Sequence, residues 1–74
     1  MPKLPVVKPK EVIKVIKKAG FIYKRSNGSH QLFYHLEKGL RVTIASHNKD
    51  LKPKTLLSIL KQAQLSIDQF NELL

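Results

Sequence analysis

The sequence predicts an α+β domain in which helices cover one face of a three-stranded antiparallel sheet. Apolar residues recur at helical spacing between Pro9 and Gly20. Three runs rich in β-branched and aromatic residues follow within residues 21–45, separated by two turn signals that contain glycine. From Pro53 onward, leucine and isoleucine recur at helical spacing again. The expected order is therefore helix, three strands, helix and a short last helix.

The length and composition of the chain limit what it can be. Its 74 residues, which we take as one domain over 1–74, leave no room for a large enclosed pocket. Without cysteine, the chain has no disulfide, thiol nucleophile or cysteine-ligated zinc. No apolar stretch approaches the ~20 residues that span a bilayer, and residues 1–5 lack the apolar segment of a secretory signal. We expect a cytoplasmic protein with no membrane partner.

Positive charge is concentrated in the first part of the chain. Residues 1–54 hold 13 of the 14 Lys and Arg against three of the five acids, a net of +10, whereas residues 55–74 have a net of −1. This asymmetry predicts one surface that faces a polyanion such as RNA and a separate, nearly neutral packing or partner surface. Excess lysine for solubility is the alternative explanation.

The first helix is predicted to begin at Pro9 and to end before Gly20. Proline suits the first helical turn, and glycine suits the position after the last one. Glu11 near the start and lysines near the end match the helix dipole. A strand is the alternative, because the segment is rich in β-branched residues. Residues 1–8 contain two prolines and are expected to form a loose arm.

Three strands are predicted to follow, over residues 21–26, 30–35 and 40–44. Asn27-Gly28 predicts a hairpin with a type I′ turn, which needs positive φ at both of these residues. Glu37-Lys38-Gly39 supplies the second turn. The third strand alternates apolar and polar residues, as expected for a strand that is half-buried.

The second strand does not reveal its buried face. His30, Leu32 and Tyr34 share one face, and the odd-numbered residues share the other. Each face contains a large apolar side chain, so alternation leaves the choice open, although we expect Phe33 in the core.

The last two helices are predicted from Pro53 and from Ser66. Ser66 and Gln69 fit a capping box that begins the short last helix. The buried side of the preceding helix is predicted from its apolar residues, which are Leu56, Leu57, Ile59, Leu60 and Ala63.

One histidine, His30, is the candidate for acid–base chemistry. An imidazole can accept and donate a proton near neutral pH, and RNA carries its own nucleophile in the 2′-hydroxyl. Cleavage of RNA therefore needs no cofactor and no deep pocket, which suits a small basic domain. His30 follows a turn in which Gly28 allows a phosphate to approach the backbone closely. From the residues alone, a structural role for this histidine remains the alternative.

The other histidines do not complete a metal site in the sequence. Among His30, His35 and His47 no pair has helical i, i+4 spacing, and no carboxylate accompanies them in a ligand pattern. We expect neither a metal nor a cofactor, and the roles of His35 and His47 stay open.

Phosphate contacts are predicted for basic residues on or near the strands and loops, and for the turn before His30. Such contacts would be charge-assisted hydrogen bonds. The candidate RNA-binding residues are Lys24, Arg25, Gly28, Ser29, Arg41, Lys49, Lys52 and Lys54. Tyr23 and Tyr34 are interleaved with them, and one of these rings could stack on an unpaired base.

Five segments, in their order and spacing, resemble the HicA toxin family over residues 9–74. They are Gly20-Phe21, Gly28-Ser29-His30-Gln31, Arg41-Val42-Thr43-Ile44, the stretch from His47 to Pro53, and Leu60-Lys61-Gln62-Ala63. The combination is specific, whereas any single segment is weak evidence.

The resemblance implies a double-stranded-RNA-binding-domain-like fold, in agreement with the order of elements above. It implies the toxin of a type II toxin–antitoxin system, which cleaves mRNA independently of the ribosome and blocks translation. In the family, the histidine of the Gly-Ser-His motif is catalytic, and here it is His30. A HicB-type antitoxin is the implied inhibitor.

The sequence differs from the common family pattern beside the catalytic position. The family often has a second histidine where Gln31 stands and an arginine where Tyr34 stands. Neither change removes His30. Two alternatives to a ribonuclease remain at this point, namely a non-catalytic RNA-binding module of the same fold and a basic surface that docks an acidic protein.

Overall fold

The computed structural model has the predicted order of elements. It describes residues 4–45 and 50–74. The elements are α1 (Pro9–Lys18), β1 (Ile22–Asn27), β2 (His30–His35), β3 (Leu40–Ala45), α2 (Pro53–Ala63) and α3 (Ile67–Leu73). The strands form one antiparallel sheet in the order β1-β2-β3. The fold is therefore α+β, with the arrangement of a double-stranded-RNA-binding-like domain.

Local signals in the sequence set the helix ends. Pro9 and Pro53 occupy the first turns of α1 and α2, where a missing N–H loses no helical hydrogen bond. α1 ends at Lys18, and Gly20 follows two residues later with φ +103°. At the start of α3, the Ser66 hydroxyl accepts from the backbone N–H of Gln69, whose side-chain oxygen accepts from the backbone N–H of Ser66. This confirms the predicted capping box.

The core lies between the helices and one face of the sheet. The buried side chains form one cluster, which contains Val7, Val12, Val15, Ile16, Phe21, Phe33, Val42, Ile44, Leu56, Ile59, Leu60, Ala63 and Phe70. β1 contributes none of them, because all six of its residues are exposed. On the opposite face of the sheet, the residues of β2 and β3 are exposed or half-buried.

The N-terminal segment differs from the predicted loose arm. Val7 is only 2% exposed, and its carbonyl accepts a hydrogen bond from the N–H of Leu51 at 2.9 Å. Leu4 also packs against the core. For residues 4–8 the prediction is wrong, because burying these apolar side chains offsets the entropy lost in ordering the segment. Residues 1–3 lie outside the described residues.

The buried side of α2 is narrower than predicted. Leu56, Ile59, Leu60 and Ala63 are buried, whereas Leu57 is 45% exposed. Successive residues of a helix are about 100° apart around its axis. Leu57 therefore lies outside the stripe that the other four side chains form. The prediction is therefore wrong for Leu57.

The helix α2 also protects the edge of the sheet. The backbone N–H of Thr43, on the edge strand β3, donates to Oε1 of Gln62 at 3.4 Å. Nε2 of Gln62 in turn donates to the Ser58 hydroxyl at 3.3 Å. An unpaired backbone N–H on an edge strand is a template for unwanted strand pairing. Gln62 accepts the hydrogen bond of the Thr43 N–H and so prevents such pairing there.

Candidate functional site

The burial of β2 identifies which of its faces meets solvent. Phe33 is fully buried, so it points to the helices. Side chains alternate along a strand, and His30, Leu32 and Tyr34 therefore lie on the opposite, open face. His30 is exposed at the first position of β2, where it pairs with Asn27 of β1 and Ala45 of β3. The candidate catalytic side chain therefore lies on the open face of the sheet.

A β-bulge in β1 determines which residues surround His30. Tyr23 lies opposite Phe33, but Arg25 lies opposite Leu32, so Lys24 is an extra residue in the ladder. If the pairing continued without this bulge, Lys24 would lie opposite Leu32 and Arg25 would point to the other face. The bulge thus brings Arg25 to the open face, together with Asn27, which pairs with His30.

The turn before His30 contains Gly28 and Ser29. Asn27 pairs with His30, so these two residues alone form the loop. Gly28 has φ +64°, and among the described non-glycine residues only Gln64 has positive φ. A positive φ followed by a negative one is the pattern of a type II′ turn. The predicted type I′ turn centred on Asn27-Gly28 is therefore wrong by one residue, because Asn27 completes the ladder.

The turn leaves open space beside the backbone. A Cβ atom placed on Gly28 would meet no atom within 4 Å. The backbone at Gly28 is therefore open to a phosphate that reaches His30 from the end of the hairpin.

A shallow depression of about 290 Å³ lies beside His30. Its lining consists of Arg25, Asn27, His30, Leu32 and Thr43. The lining combines one imidazole, one guanidinium and two neutral polar side chains around an apolar floor. A guanidinium is a preferred phosphate ligand, and amide and hydroxyl groups can donate to the remaining phosphate oxygens. Among these lining residues, His30 is the one whose side-chain type serves as a general acid or base.

Two polar members of this depression, Asn27 and Thr43, are absent from the candidate residues of the sequence. The Asn27-Gly28 turn signal places Asn27 in the loop, whereas the structure places it in the ladder opposite His30. Thr43 lies opposite Leu32 on β3. The outward alternation of Arg41 and Thr43 was the signal that could have identified it.

A second basic group lies at the other end of β2, around Tyr34. Nζ of Lys24 is 5.2 Å from the centre of the Tyr34 ring, and Cζ of Arg41 is 6.0 Å from it. Arg41 lies opposite Tyr34 on β3. Both distances are in the range of cation–π contacts. The predicted residues Lys24 and Arg41 are thus brought together, but around Tyr34 and away from the His30 depression.

Two further basic candidates, Lys52 and Lys54, lie apart from both groups. Lys52 and Lys54 are exposed at the beginning of α2, and neither lines the depression beside His30. Lys49 and His47 lie outside the described residues.

His35 has surroundings that favour a structural role. It is only 8% exposed, its Nδ1 accepts from the backbone N–H of Lys38 at 3.2 Å, and its ring packs edge-on against Phe21 at 5.1 Å. A depression of about 400 Å³ adjoins it, lined also by Lys18, Gly20 and Glu37 among others. This depression is larger than the one at His30, and its exposed titratable side chains are those of Lys18 and Glu37.

Two further observations concern metals and membranes. Across residues 4–45 and 50–74, no group of three or more histidine and carboxylate side chains is placed to bind a metal ion. No helix in the same part of the chain combines the length and apolar character needed to cross a bilayer.

Comparison with models of protein families identifies a family for this chain. A family model described as "HicA toxin of bacterial toxin-antitoxin" matches residues 9–65 of the 74-residue chain. The matched segment runs from the first residue of α1 to just beyond α2 and includes the whole sheet. A comparison with curated proteins gave no match.

Proposed function

The chain belongs to the HicA toxin family of bacterial toxin–antitoxin systems, and we propose on this basis that it is a ribosome-independent endoribonuclease that cleaves mRNA and thereby blocks translation. It acts as one domain over residues 1–74, in the cytoplasm where mRNA is translated. A HicB-type antitoxin binds and inhibits it. Membership in a toxin family and the basic character of the chain support this proposal.

The observation that carries the proposal is the placement of His30. Its imidazole is exposed on the open sheet face, in one depression with Arg25, Asn27 and Thr43. A phosphodiester in this depression would meet an acid–base group, a fixed positive charge and two neutral donors. These are the components that in-line cleavage of RNA requires.

In the proposed reaction, the 2′-hydroxyl oxygen attacks the adjacent phosphorus while the bond to the 5′ oxygen breaks. His30 takes the proton from the 2′-hydroxyl or gives one to the leaving oxygen. Arg25 stabilises the negative charge that grows on the phosphate oxygens. The products carry a 2′,3′-cyclic phosphate and a 5′-hydroxyl. The depression supplies a single acid–base group, so the second proton exchanges with water or a phosphate oxygen.

The RNA backbone is held by the predicted basic residues. Arg25, Gly28 and Ser29 adjoin His30 and bind the phosphate that is cleaved or its neighbour. Lys24 and Arg41 bind the strand at the other end of β2. Lys52 and Lys54, at the beginning of α2, bind parts of the substrate outside the His30 depression, and Lys49 is a further candidate phosphate contact. This assignment needs no cofactor, because the nucleophile belongs to the RNA.

The test is an RNA cleavage assay in buffer with a chelator, comparing the parent protein with His30→Ala. We expect cleavage to fall about 100-fold or more, as for loss of a general acid or base, with RNA affinity retained. The matched control is Gln31→Ala, which alters the next residue on the other face of the sheet. A scissile 2′-deoxy substitution should abolish cleavage by the parent protein.

Other outcomes would overturn the proposal. Equal cleavage by the parent protein and His30→Ala would remove His30 from the reaction. Cleavage of the 2′-deoxy substrate would exclude the 2′-hydroxyl mechanism. Binding of RNA without cleavage by any variant would identify a non-catalytic RNA-binding module, and binding of an acidic protein in preference to RNA would identify a docking surface.

A further inference from the structure

The group around Tyr34 contains two cations that are held against an aromatic ring. Lys24 and Arg41 both lie over the Tyr34 ring, and no ion pair of either residue is present in the described part of the chain. A cation–π contact orients a cation but leaves its charge intact. Two oriented and uncompensated positive charges on an exposed sheet face form a binding site for an anion.

The β-bulge explains why two successive basic residues serve both ends of this face. Arg25 lines the depression beside His30, whereas Lys24 reaches the ring of Tyr34. In a regular strand, two successive side chains point to opposite faces. Because Lys24 is the extra residue of the bulge, both side chains reach the open face, one toward each end of β2.

The two ends of the face are separated by a fixed distance. His30 and Tyr34 are four residues apart on one strand, which corresponds to about 13 Å. Leu32 lies between them on the same face. The open face therefore presents, in a row, a proton-transfer group with a cation, an apolar side chain, and an aromatic ring with two cations.

We propose that this row binds single-stranded RNA along β2, with a nucleotide a few positions from the cleaved bond held by Tyr34, Lys24 and Arg41. The inference rests on the proposed function and specifies its substrate. An unpaired strand can place its backbone on the cations and its bases against Leu32 and the Tyr34 ring. In a duplex the base faces are stacked within the helix and cannot make these contacts.

The experiment compares substrates that do and do not reach Tyr34. One is a dinucleotide, which spans only the His30 depression. The other is a single-stranded oligonucleotide with enough nucleotides on each side of the cleaved bond to reach past Tyr34 in either orientation. For Tyr34→Leu, we expect KM for the long substrate to rise about tenfold, the effect of losing one base or phosphate contact. We expect kcat for the long substrate and cleavage of the dinucleotide to be unchanged.

Two variants serve as controls. Tyr34→Phe keeps the ring and should keep the parent KM. Tyr23→Leu removes the other tyrosine of the hairpin, whose ring contacts Phe33 on the opposite face at 5.9 Å, and should also leave KM for RNA unchanged.

Each contrary result has a definite meaning. An equal loss with the dinucleotide and the long substrate would overturn the inference, because Tyr34 would then act through the fold or through His30. Tighter binding of duplex RNA than of single-stranded RNA would also overturn the inference. If Tyr34→Leu changed only inhibition by an acidic protein, the two cations would belong to a protein-binding surface.

Failure of the proposed function can be distinguished from failure of this inference. If the parent protein cleaved neither substrate, equilibrium binding of the long oligonucleotide would replace KM as the measurement. Weaker binding by Tyr34→Leu than by Tyr23→Leu would then still support the Tyr34 site, and equal binding would overturn it.

Discussion

A Cβ atom on Gly20 would lie 2.8 Å from Nε2 of His35. His35 has little freedom to move away, because Lys38 N–H donates to its Nδ1 and its ring packs against Phe21. Gly20 also has φ +103°, a conformation that residues with a side chain rarely adopt. The end of α1 and the end of β2 therefore meet at a position where only glycine fits.

We expect Gly20→Ala to lower the free energy of unfolding by about 3 kcal/mol, from backbone strain and the contact with His35 together. Gly39→Ala is the matched control. Gly39 has φ +64°, but a Cβ there meets nothing within 4 Å, so only the backbone cost of about 1 kcal/mol should remain. Urea unfolding of both variants measures the difference, and equal losses would show that the contact with His35 is unimportant.

Adjacent leucines of α2 should respond very differently to truncation. Leu56 is 1% exposed and Leu57 is 45% exposed. Leu56→Ala should cost about 2–5 kcal/mol, as expected for a cavity in the core, whereas Leu57→Ala should change stability by less than about 0.5 kcal/mol. Thermal or urea unfolding checks this pair, and a large loss from Leu57→Ala would place that side chain in the core or in an interface.

A substitution at the C-terminal end of α2 should stabilise the fold. Gln64 lies in the left-handed region at φ 56°, where a side chain costs about 1–2 kcal/mol relative to glycine. Gln64→Gly should raise the free energy of unfolding by about 0.5–1 kcal/mol, since part of this gain is lost to the more flexible unfolded chain. Lys61→Gly, within the same helix, should instead lower it by about 1 kcal/mol. A loss of stability from Gln64→Gly would contradict the assigned backbone conformation.

The charge of Arg25 should be visible in the salt dependence of RNA binding. Arg25→Gln removes one phosphate contact, so the slope of log K against log salt concentration should decrease in magnitude by about 0.7 for a single strand. Cleavage should fall about tenfold or more, as expected for a lost charge-assisted hydrogen bond. Lys10→Gln on the exposed side of α1 makes the same charge change away from the sheet, and an equal effect from it would indicate only a general dependence on net charge.

Deletion of Lys24 should weaken RNA binding at the Tyr34 end of the open face and leave the His30 end unchanged. Removing the extra residue leaves Arg25 opposite Leu32 in a regular ladder. The variant should therefore fold and cleave a dinucleotide near the parent rate, while KM for a long single-stranded substrate rises. Circular dichroism and the cleavage assay test this together, and loss of dinucleotide cleavage in a folded variant would show that the bulge itself shapes the His30 depression.

The helix ends could be predicted from the sequence because short-range chemistry determines them. Pro9, Pro53 and Gly20 act through backbone geometry within one turn, and Ser66 acts through hydrogen bonds to a residue three positions away. The family resemblance likewise rested on local segments, and the match over residues 9–65 confirms it.

The composition of the site could not be predicted in the same way, because it depends on pairing between strands. Lys24 and Arg25 show no alternation that would reveal a bulge, and Asn27 carries a strong turn signal even though it lies in the ladder. The open face of β2 is decided by Phe33 packing against the helices, which is a tertiary effect. The role assigned to His30 came from the resemblance and stays a prediction.

The complete exposure of β1 has an evolutionary consequence. No side chain between Ile22 and Asn27 is buried. Apart from Tyr23, whose ring packs against Phe33, the positions of this strand, including Lys24 and Arg25, therefore meet little demand for shape or volume from the core. Substitutions there can accumulate without compensating changes elsewhere in the chain. Descendants of this protein can thus diverge in the RNA they recognise by altering a single hairpin while inheriting the rest of the fold unaltered.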